Sequence, residues 1–362
     1  MFLNRPLVAV DIGSSSVKVV EISGGTDKKL RAIGLELLPE GIVVDGAIQD
    51  LKATEKILKG LIRKLKITTT GRRAAVALSG SSVLIKRVGF TPTDDVSEMH
   101  EQIFYEAEQH FQHDMDELYF DYYELSSTPD HNGTIPILLV GAKKEIVEQY
   151  LTVIRGLGMR TGLIDCDVFS VSNMFEYNYG IIDGLIAVVN IGATVTQVSL
   201  VHRGEYLYTR DISMGGDDYT NRLINALEVD RKNAESLKIS ASQGDDSVPP
   251  TLHEVVSEVN QQLVSEIQVT VDYYFQNGEA PPGVNQLTGV YLAGGGSRTL
   301  GLDAAVAASL HVPVQIVNPF HRVNVNPRRF QMDYILAQGH LYSVAVGLAM
   351  RTINDSTVSA SA

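Results

Sequence analysis

Cysteine is almost absent from this sequence of 362 residues, since Cys166 is the only one. A single cysteine excludes a disulfide framework, a four-cysteine zinc site and a cysteine-ligated cluster, and it is typical of a reducing compartment. The opening Met-Phe-Leu-Asn-Arg-Pro lacks the charged-then-apolar layout of a signal peptide. No apolar run reaches the length of about 18 residues that a membrane-spanning helix needs. We therefore expect a cytoplasmic protein.

Basic residues are also in deficit. Thirty Lys and Arg stand against 43 Asp and Glu, so that the net charge is −13. Nonspecific binding to nucleic acid or to an anionic bilayer requires basic surface, and this balance argues against both. The chain is long enough, at 44% apolar residues, to bury a large core. Its length predicts two domains, with one large α/β unit as the alternative.

A pattern of strand, small-residue turn and strand occurs twice. Residues 7–22 contain Asp-Ile-Gly-Ser-Ser from Asp11 onward, and residues 186–201 contain Asn-Ile-Gly-Ala-Thr from Asn190 onward, 179 residues later. A repeat at half the chain length indicates the duplication of one kind of domain. Strands and helices alternate elsewhere in the chain, which predicts the α/β class.

Turns of this composition suit phosphate, because small residues let backbone N–H groups approach an anion and hydroxyls add donors. In the first turn the candidate donors are the three serines 14–16 and Lys18. Asp11 is a candidate magnesium ligand, through water. An ordinary tight turn is the alternative for either copy alone, whereas two matched copies favour a pair of phosphate loops.

A third glycine signal, Gly294-Gly295-Gly296-Ser297, follows a predicted buried strand at 289–293. It is either the start of a helix capped by Ser297 or a close backbone approach to a nucleotide. The glycine spacing is not that of a dinucleotide-binding turn, and the chain contains no P-loop sequence. Among the other helices, the apolar spacing of Leu252 to Tyr274 predicts a long one.

The central region predicts a small α/β unit of its own. A start signal at Asp94-Asp95 precedes apolar residues at helical spacing. The predicted elements are strand 83–90, helix 96–111, strand 119–125, strand 135–140 and helix 144–156.

These motifs resemble, in order and over the whole chain, the actin-like ATPase superfamily. Within it the sequence is similar to the PilM family of type IV pilus assembly and, more distantly, to FtsA of cell division. The segments that carry the resemblance are 11–18, 190–194, 211–220, 312–320 and 346–351. The resemblance implies an actin-like fold, a duplicated ribonuclease H-like pair of lobes with an inserted small α/β subdomain.

It also implies an ATP site between the lobes, with Mg²⁺ near Asp11 and Asn190. The residues implied for nucleotide binding are Ser14, Ser15, Ser16, Lys18, Gly192, Ala193, Thr194, Gly215, Gly216, Glu235, Lys238, Gly294, Gly295, Gly296 and Ser297. For Glu235 and Lys238 taken alone, a solvated helix pair is the simpler interpretation.

The resemblance divides the chain further. The expected divisions are the first lobe at 1–86 and 163–184, its inserted partner-binding subdomain at 87–162, the second lobe at 185–216 and 285–330, its helical subdomain at 217–284, and a return helix with a polar tail at 331–362.

Two positions depart from the superfamily pattern. The second hairpin usually begins with Asp, and here it begins with Asn190, which lacks the charge that tightens Mg²⁺ and orients the attacking water. The carboxylate that usually faces the γ-phosphate corresponds to Asp165 or Asp167, and both stay candidates for a catalytic role. We therefore expect ATP binding with, at most, slow hydrolysis.

In the PilM family a groove beside the inserted subdomain takes a short N-terminal cytoplasmic peptide of the inner-membrane protein PilN. Tyr119, Phe120, Tyr122 and Tyr123 are core or groove residues. FtsA-like proteins reach the membrane through a basic amphipathic C-terminal helix, and residues 352–362 contain no basic residue. We expect recruitment to the inner membrane through a protein partner. The alternatives are an FtsA-like polymerising protein and an actin-superfamily small-molecule kinase.

Overall fold

The computed structural model describes residues 6–125, 133–245, 247–277 and 280–352. The predicted polar tail, from residue 353 onward, lies outside them. The chain divides into two compact units. Unit 1 is drawn from residues 1–17, 34–167 and 351–362, and unit 2 from residues 18–33 and 168–350.

Both units combine strands and helices. The strands are β1 (Val8–Ile12), β2 (Ser16–Ser23), β3 (Lys29–Leu37), β4 (Val43–Val44), β5 (Ala47–Ile48), β6 (Arg73–Leu78), β7 (Val83–Phe90), β8 (Leu118–Glu124), β9 (Ile135–Lys143), β10 (Arg160–Cys166), β11 (Leu185–Ile191), β12 (Thr196–His202), β13 (Glu205–Ile212), β14 (Gly289–Ala293) and β15 (Val314–Ile316). The helices are α1 (Leu51–Lys64), α2 (Val96–His110), α3 (Lys144–Gly156), α4 (Asp167–Tyr179), α5 (Gly216–Leu227), α6 (Arg231–Ser242), α7 (Pro250–Gln276), α8 (Leu302–Leu310), α9 (Met332–Gln338) and α10 (Ser343–Met350).

Two five-stranded sheets have the same strand order. One is β3-β2-β1-β6-β10 and the other is β13-β12-β11-β14-β15. In the first, β1 and β10 each pair with β6 in parallel, and in the second β14 pairs with β11 and β15 in parallel. Equal strand order, with the parallel pairs at the same positions of both sheets, confirms the duplication that the two hairpins predict.

The central strands are apolar apart from Asp11 in β1 and Asn190 in β11. Every residue of β1 is buried, and β11 is buried except at Asn190. Strands in parallel sheets that are covered on both faces have this composition, because neither face meets water. In unit 2 the residues of β11, β12 and β14 join the apolar face of α7 and α8 in one core.

The inserted region folds as the sequence predicts, with bounds within three residues of those expected. Strands β7, β9 and β8 form a separate antiparallel sheet in that order. Helix α2 begins at the predicted signal, where the Asp95 carboxylate accepts the N–H of Ser97 at 2.8 Å. Ile103, Ala107 and Phe111 of the helical side pack on Ile137 and Leu139 of the sheet.

The long helix is also confirmed, since α7 spans Pro250–Gln276 and buries the predicted apolar face. The helix expected directly after the third glycine signal does not begin there. A single 3₁₀ turn, Gly295–Arg298, follows β14, and α8 begins only at Leu302 after Gly301 at φ +70°. Ser297 caps no helix, because its hydroxyl donates to the carbonyl of Gly294 at 2.7 Å. Across the described ranges, no helix has the length and apolar character needed to cross a membrane.

Candidate nucleotide-binding site

The first predicted phosphate turn links β1 to β2. The N–H of Gly13 donates to the carbonyl of Ser16 at 3.1 Å, and the N–H of Leu38 donates to the carbonyl of Ser15 at 2.9 Å. Ser14 is half-buried and Ser15 is exposed, whereas Ser16 lies in β2 and is only 5% exposed. Of the three serines, Ser14 and Ser15 therefore have hydroxyls that a ligand can reach from solvent.

Asp11 and Asp165 project from the same face of the first sheet. Val10 and Ile164 both pair with Val76 of β6, and each aspartate is the next residue along its strand. Paired residues share a face, and one intervening strand separates the two backbones by about 10 Å. Ala77 of β6 lies between them in the register, and all three residues are buried. A pair of carboxylates at the carboxyl end of parallel strands is therefore present in unit 1.

The two candidate catalytic carboxylates differ in environment. Asp165 is buried, accepts the N–H of Cys166 at 2.9 Å, and has its Oδ2 3.7 Å from Nε of Arg351. Asp167 is half-buried and begins α4. Asp167 and Asp11 both lie near the hydroxyl of Tyr150, whose pKa is raised by burial first and then by these two negative charges. Asp167 is thus the more accessible candidate, and Asp165 is held by Arg351.

The second turn lies in unit 2 between β11 and β12 and is closed by backbone bonds. The N–H of Gly192 donates to Val195 at 2.9 Å, and the carbonyls of Gly192 and Ala193 accept the N–H groups of Gly216 at 2.9 Å and Asp217 at 2.8 Å. A Cβ at Gly215 would lie 2.6 Å from the Ala193 oxygen. Only glycine fits at 215, so the predicted Gly-Gly brings the start of α5 against the turn.

Glu235 and Lys238 on α6 are part of this arrangement. The ammonium of Lys238 donates to the carbonyl of Gly216 at 2.9 Å and lies 2.7 Å from Oε2 of Glu235. It also donates to Thr220 Oγ1 at 2.8 Å, and the Lys238 side chain is only 12% exposed. Lys238 is therefore not a solvated side chain but links α6 to the first turn of α5. Glu235 is 43% exposed and keeps a carboxylate oxygen for a ligand hydroxyl.

The third glycine signal approaches the second turn from β14. Gly294 has φ +82°, and a Cβ there would lie 2.5 Å from the Ile191 carbonyl and 2.6 Å from Oδ1 of Asn190. A Cβ at Gly296 would lie 2.3 Å from Cγ2 of Ile191. The glycine turn is consequently in direct contact with Asn190 and Ile191, the residues that precede the 192–194 turn in unit 2.

Three further residues support the unit 2 site and were not singled out from the sequence. Asp218 accepts the N–H of Gly215 at 2.7 Å, Thr220 connects α5 to Lys238, and Arg298 donates to the carbonyl of Leu336 at 2.9 Å. Asp218 and Thr220 lie in the 211–220 motif, where their spacing of three and five residues from the first glycine was the available signal. Arg298 carried no signal, because its acceptor lies 38 residues away.

Of the metal candidates, Asp11 is in unit 1 and Asn190 is in unit 2. Within the described residues no group of three or more His, Cys, Asp or Glu side chains is arranged to hold a metal ion. A magnesium ion at Asp11 would accordingly take most of its ligands from water and phosphate oxygens, as this ion commonly does.

His340 lies beside Arg298 and is 8% exposed. Burial first, and then the charge of Arg298, lower its pKa from 6.5 to about 4. The unfolded chain binds this proton more tightly, so we expect the free energy of unfolding to fall by up to about 3 kcal/mol as the pH drops from 6.5 towards 4. Urea unfolding at both ends of this range tests it. His340→Gln removes the titrating group, and an equal pH dependence in the variant would contradict the assignment.

Comparisons with known proteins identify the fold and the family. The family model of the type IV pilus assembly protein PilM matches residues 9–353. A solved PilM–PilN type IV pilus biogenesis complex is similar with a TM-score of 0.83 and 24% identity, over 97% of this chain and 99% of that chain. The ethanolamine utilization protein EutJ from Carboxydothermus hydrogenoformans is similar with a TM-score of 0.56 and 17% identity, over 95% and 89%.

Curated relatives include the cell shape-determining protein Mbl of Bacillus cereus, 27% identical in an alignment 172 positions long that covers 38% of this chain and 50% of that protein. The chain thus spans about half the length of the curated relatives it matches. The solved structures confirm the predicted actin-like fold with two sheet-containing lobes. Since the family model covers nearly the whole sequence, the chain belongs to the PilM family of type IV pilus assembly proteins.

Proposed function

We propose that this chain is an ATP-binding scaffold of type IV pilus assembly that binds the N-terminal cytoplasmic peptide of a PilN-like inner-membrane protein. The observation that carries the nucleotide part is the convergence within unit 2 of four separate segments. They are the 192–194 turn, Gly215-Gly216, the Glu235–Lys238 pair and the 294–297 turn. Close backbone approach at three glycines, with a carboxylate and a lysine alongside, suits a phosphate and ribose ligand.

The chain has a net charge of −13, so ATP must be held by local donors. In this proposal the backbone N–H groups and hydroxyls of Ser14, Ser15 and Thr194 contact phosphate, and the ammonium of Lys18 pairs with a phosphate oxygen. Glu235 accepts from a ribose hydroxyl, while Lys238 keeps α6 on the first turn of α5. Asp11 would hold Mg²⁺ through water, and a bound ion would supply positive charge beside the phosphates.

Hydrolysis needs a charged group that orients water, and Asn190 is neutral. We expect Asn190→Asp to raise the steady-state rate of ATP hydrolysis at least about tenfold, because a carboxylate at this point tightens Mg²⁺ and polarises the water. Phosphate release by the native protein and the variant measures it. When it is combined with Asn190→Asp in the same assay, Asp167→Asn should lower the rate of ATP hydrolysis more than Asp165→Asn does. A native rate comparable with that of metabolic kinases would overturn the slow-turnover prediction.

The partner part of the proposal is supported by family membership and by the PilM–PilN complex, in which a relative of the same fold binds PilN. In the inserted subdomain, strand β8 turns Phe120 and Tyr122 towards the core and leaves Tyr119 47% and Tyr123 61% exposed. The outer face of β8 therefore has aromatic surface available for a peptide. Binding of this kind recruits the chain to the cytoplasmic face of the inner membrane.

Calorimetric titration with MgATP and with a synthetic PilN N-terminal peptide tests both parts. We expect saturable binding of each, loss of ATP binding in Lys18→Ala, and unchanged ATP binding in Lys52→Ala, where an exposed α1 lysine is removed instead. A scrambled peptide is the control for the second titration. Absence of ATP binding by a folded native protein contradicts the nucleotide site, and equal binding of the native and scrambled peptides contradicts the peptide site.

A further inference from the structure

Two basic segments of unit 2 lie side by side although nearly 300 residues separate them in the sequence. Residues 28–31 and 322–329 are joined by backbone bonds, from the N–H of Leu30 to Asn324 at 3.0 Å and from the N–H of Asn324 to Lys28 at 2.9 Å. Together they contain six Lys and Arg and no Asp or Glu. The basic surface consists of Lys28, Lys29, Arg31, Arg322, Arg328 and Arg329.

None of these six cations has a carboxylate within 4.0 Å among the residues that the structure places. Where one of these side chains donates a hydrogen bond, the acceptor is a neutral oxygen. Arg329 donates to the carbonyl of Arg31 at 3.3 Å, Arg322 to the carbonyl of Tyr177 at 3.4 Å, and Lys28 to the carbonyl of Met350 at 3.2 Å. Like charges held together repel one another, so an acidic ligand that covers this surface gains electrostatic energy.

Apolar side chains continue the basic surface along the chain. Helix α9 begins three residues after Arg329 and exposes Met332, Tyr334 and Leu336 by 37%, 38% and 60%. Arg, Tyr and Met are enriched at protein interfaces, and apolar groups beside the charges give such an interface its desolvated part. The composition therefore favours an acidic protein surface with exposed aromatics over a lipid or a nucleic acid.

The chain itself has a surface of that composition, in unit 1. Residues 94–117 contain nine Asp and Glu and no Lys or Arg. On α2 the exposed positions Glu98, Glu101, Tyr105 and Glu108 follow one another at helical spacing, with Phe104 beside them. We call these five residues, with Asp114, Asp116 and Glu117 of the following turn, the acidic surface. Its α2 residues lie on the side of the helix that faces away from the sheet, since Ile103 and Ala107 of α2 pack against the sheet.

We propose that the basic surface of one copy of this chain binds the acidic surface of a second copy. The two surfaces are complementary in charge, and each has exposed aromatic or aliphatic groups that the other would cover. Because they are different surfaces on different units, the contact is heterologous, and each added copy presents a free surface for the next. The proposal does not depend on ATP or on a PilN peptide.

Sedimentation velocity of the purified full chain over a concentration series tests this. We expect association at about 0.1 M salt and its loss at about 1 M, where the Debye length falls from about 10 Å to about 3 Å. The basic-surface variant is K29E/R328E/R329E, and the acidic-surface variant is E101K/E108K/E117K. Each should weaken association at least about 100-fold, because like charges then face each other. The control K52E/K56E/R63E makes the same change of net charge as the basic-surface variant, on exposed positions of α1, and should associate like the native protein.

An equimolar mixture of the two surface variants is the decisive arm. Neither should associate alone, and the mixture should recover association, because one variant then has two acidic surfaces and the other two basic surfaces. Native-like melting of each variant excludes misfolding as the cause. A native protein that stays monomeric at low salt, or a control that loses association equally, overturns the proposal. The proposal is also overturned if the basic-surface variant differs from the native protein only in its binding to anionic phospholipid vesicles, because the basic surface would then bind lipid.

Discussion

Replacement of Gly347 by alanine is expected to lower the free energy of unfolding by about 3 kcal/mol or more. Gly347 is on α10, where a Cβ would lie 1.8 Å from the carbonyl oxygen of Ser170 on α4. The obstacle is backbone in the middle of a helix, so no rotamer change relieves it, and the two helices must move apart. Urea unfolding of the native protein and the variant measures the difference.

The matched control is Gly60→Ala. Gly60 is also inside a helix, α1, but no heavy atom lies within 4 Å of its Cβ position. Alanine there should raise the free energy of unfolding by about 0.5–1 kcal/mol, because it lowers the conformational entropy of the unfolded chain. Opposite signs for the two substitutions are the expected result. Equal stabilities for Gly347→Ala and the native protein would show that α4 and α10 are not packed so closely.

Replacement of Gly294 by alanine is expected to weaken ATP binding at least about 100-fold, which corresponds to about 3 kcal/mol. The residue has φ +82°, and its Cβ would meet Oδ1 of Asn190 and the carbonyl of Ile191. Alanine must therefore displace the glycine turn from Asn190 and Ile191 at the end of β11, and the backbone donors of the glycine turn move with it. A titration with MgATP measures the loss.

Gly295→Ala is the control for that experiment. The neighbouring glycine has a negative φ, and the nearest atom to its Cβ position is Cδ2 of Leu341 at 3.1 Å, the end of a flexible side chain. We expect its ATP affinity to stay within about threefold of the native value. If both variants bind ATP like the native protein, the glycine turn is not part of the nucleotide site, and the third sequence signal has only a structural role.

The sequence was sufficient for the fold because the decisive signals are local. Each of the two hairpins consists of an apolar strand, a small-residue turn and a second strand, and this pattern is recognisable in both copies. The inserted subdomain was predictable for the same reason, since Asp95 and the apolar spacing of α2 act within a few residues of each other. The 3₁₀ turn after β14 was missed, and the residue that Gly294 approaches at its start, Ile191, lies about a hundred residues away in the chain.

The sequence indicated candidate residues for the site, but it did not indicate how they are arranged in space. Spacing alone left Glu235 and Lys238 as a solvated pair, and it left Asp165 and Asp167 equivalent. The tertiary structure separates both cases. Lys238 reaches the carbonyl of Gly216, and Asp165 is buried beside Arg351 while Asp167 stays accessible.

The charge of the chain also divides into a part that the sequence determines and a part that only the tertiary structure determines. By itself, a net charge of −13 determined that the molecule as a whole does not attract polyanions. Only the pairing of residues 28–31 with 322–329 gathers six of the 30 basic residues on one surface, while α2 exposes the opposite charge. Secondary structure follows from neighbours in the chain and can be inferred from them. Charge complementarity depends on which distant segments meet, and this is decided by the packing of the whole fold.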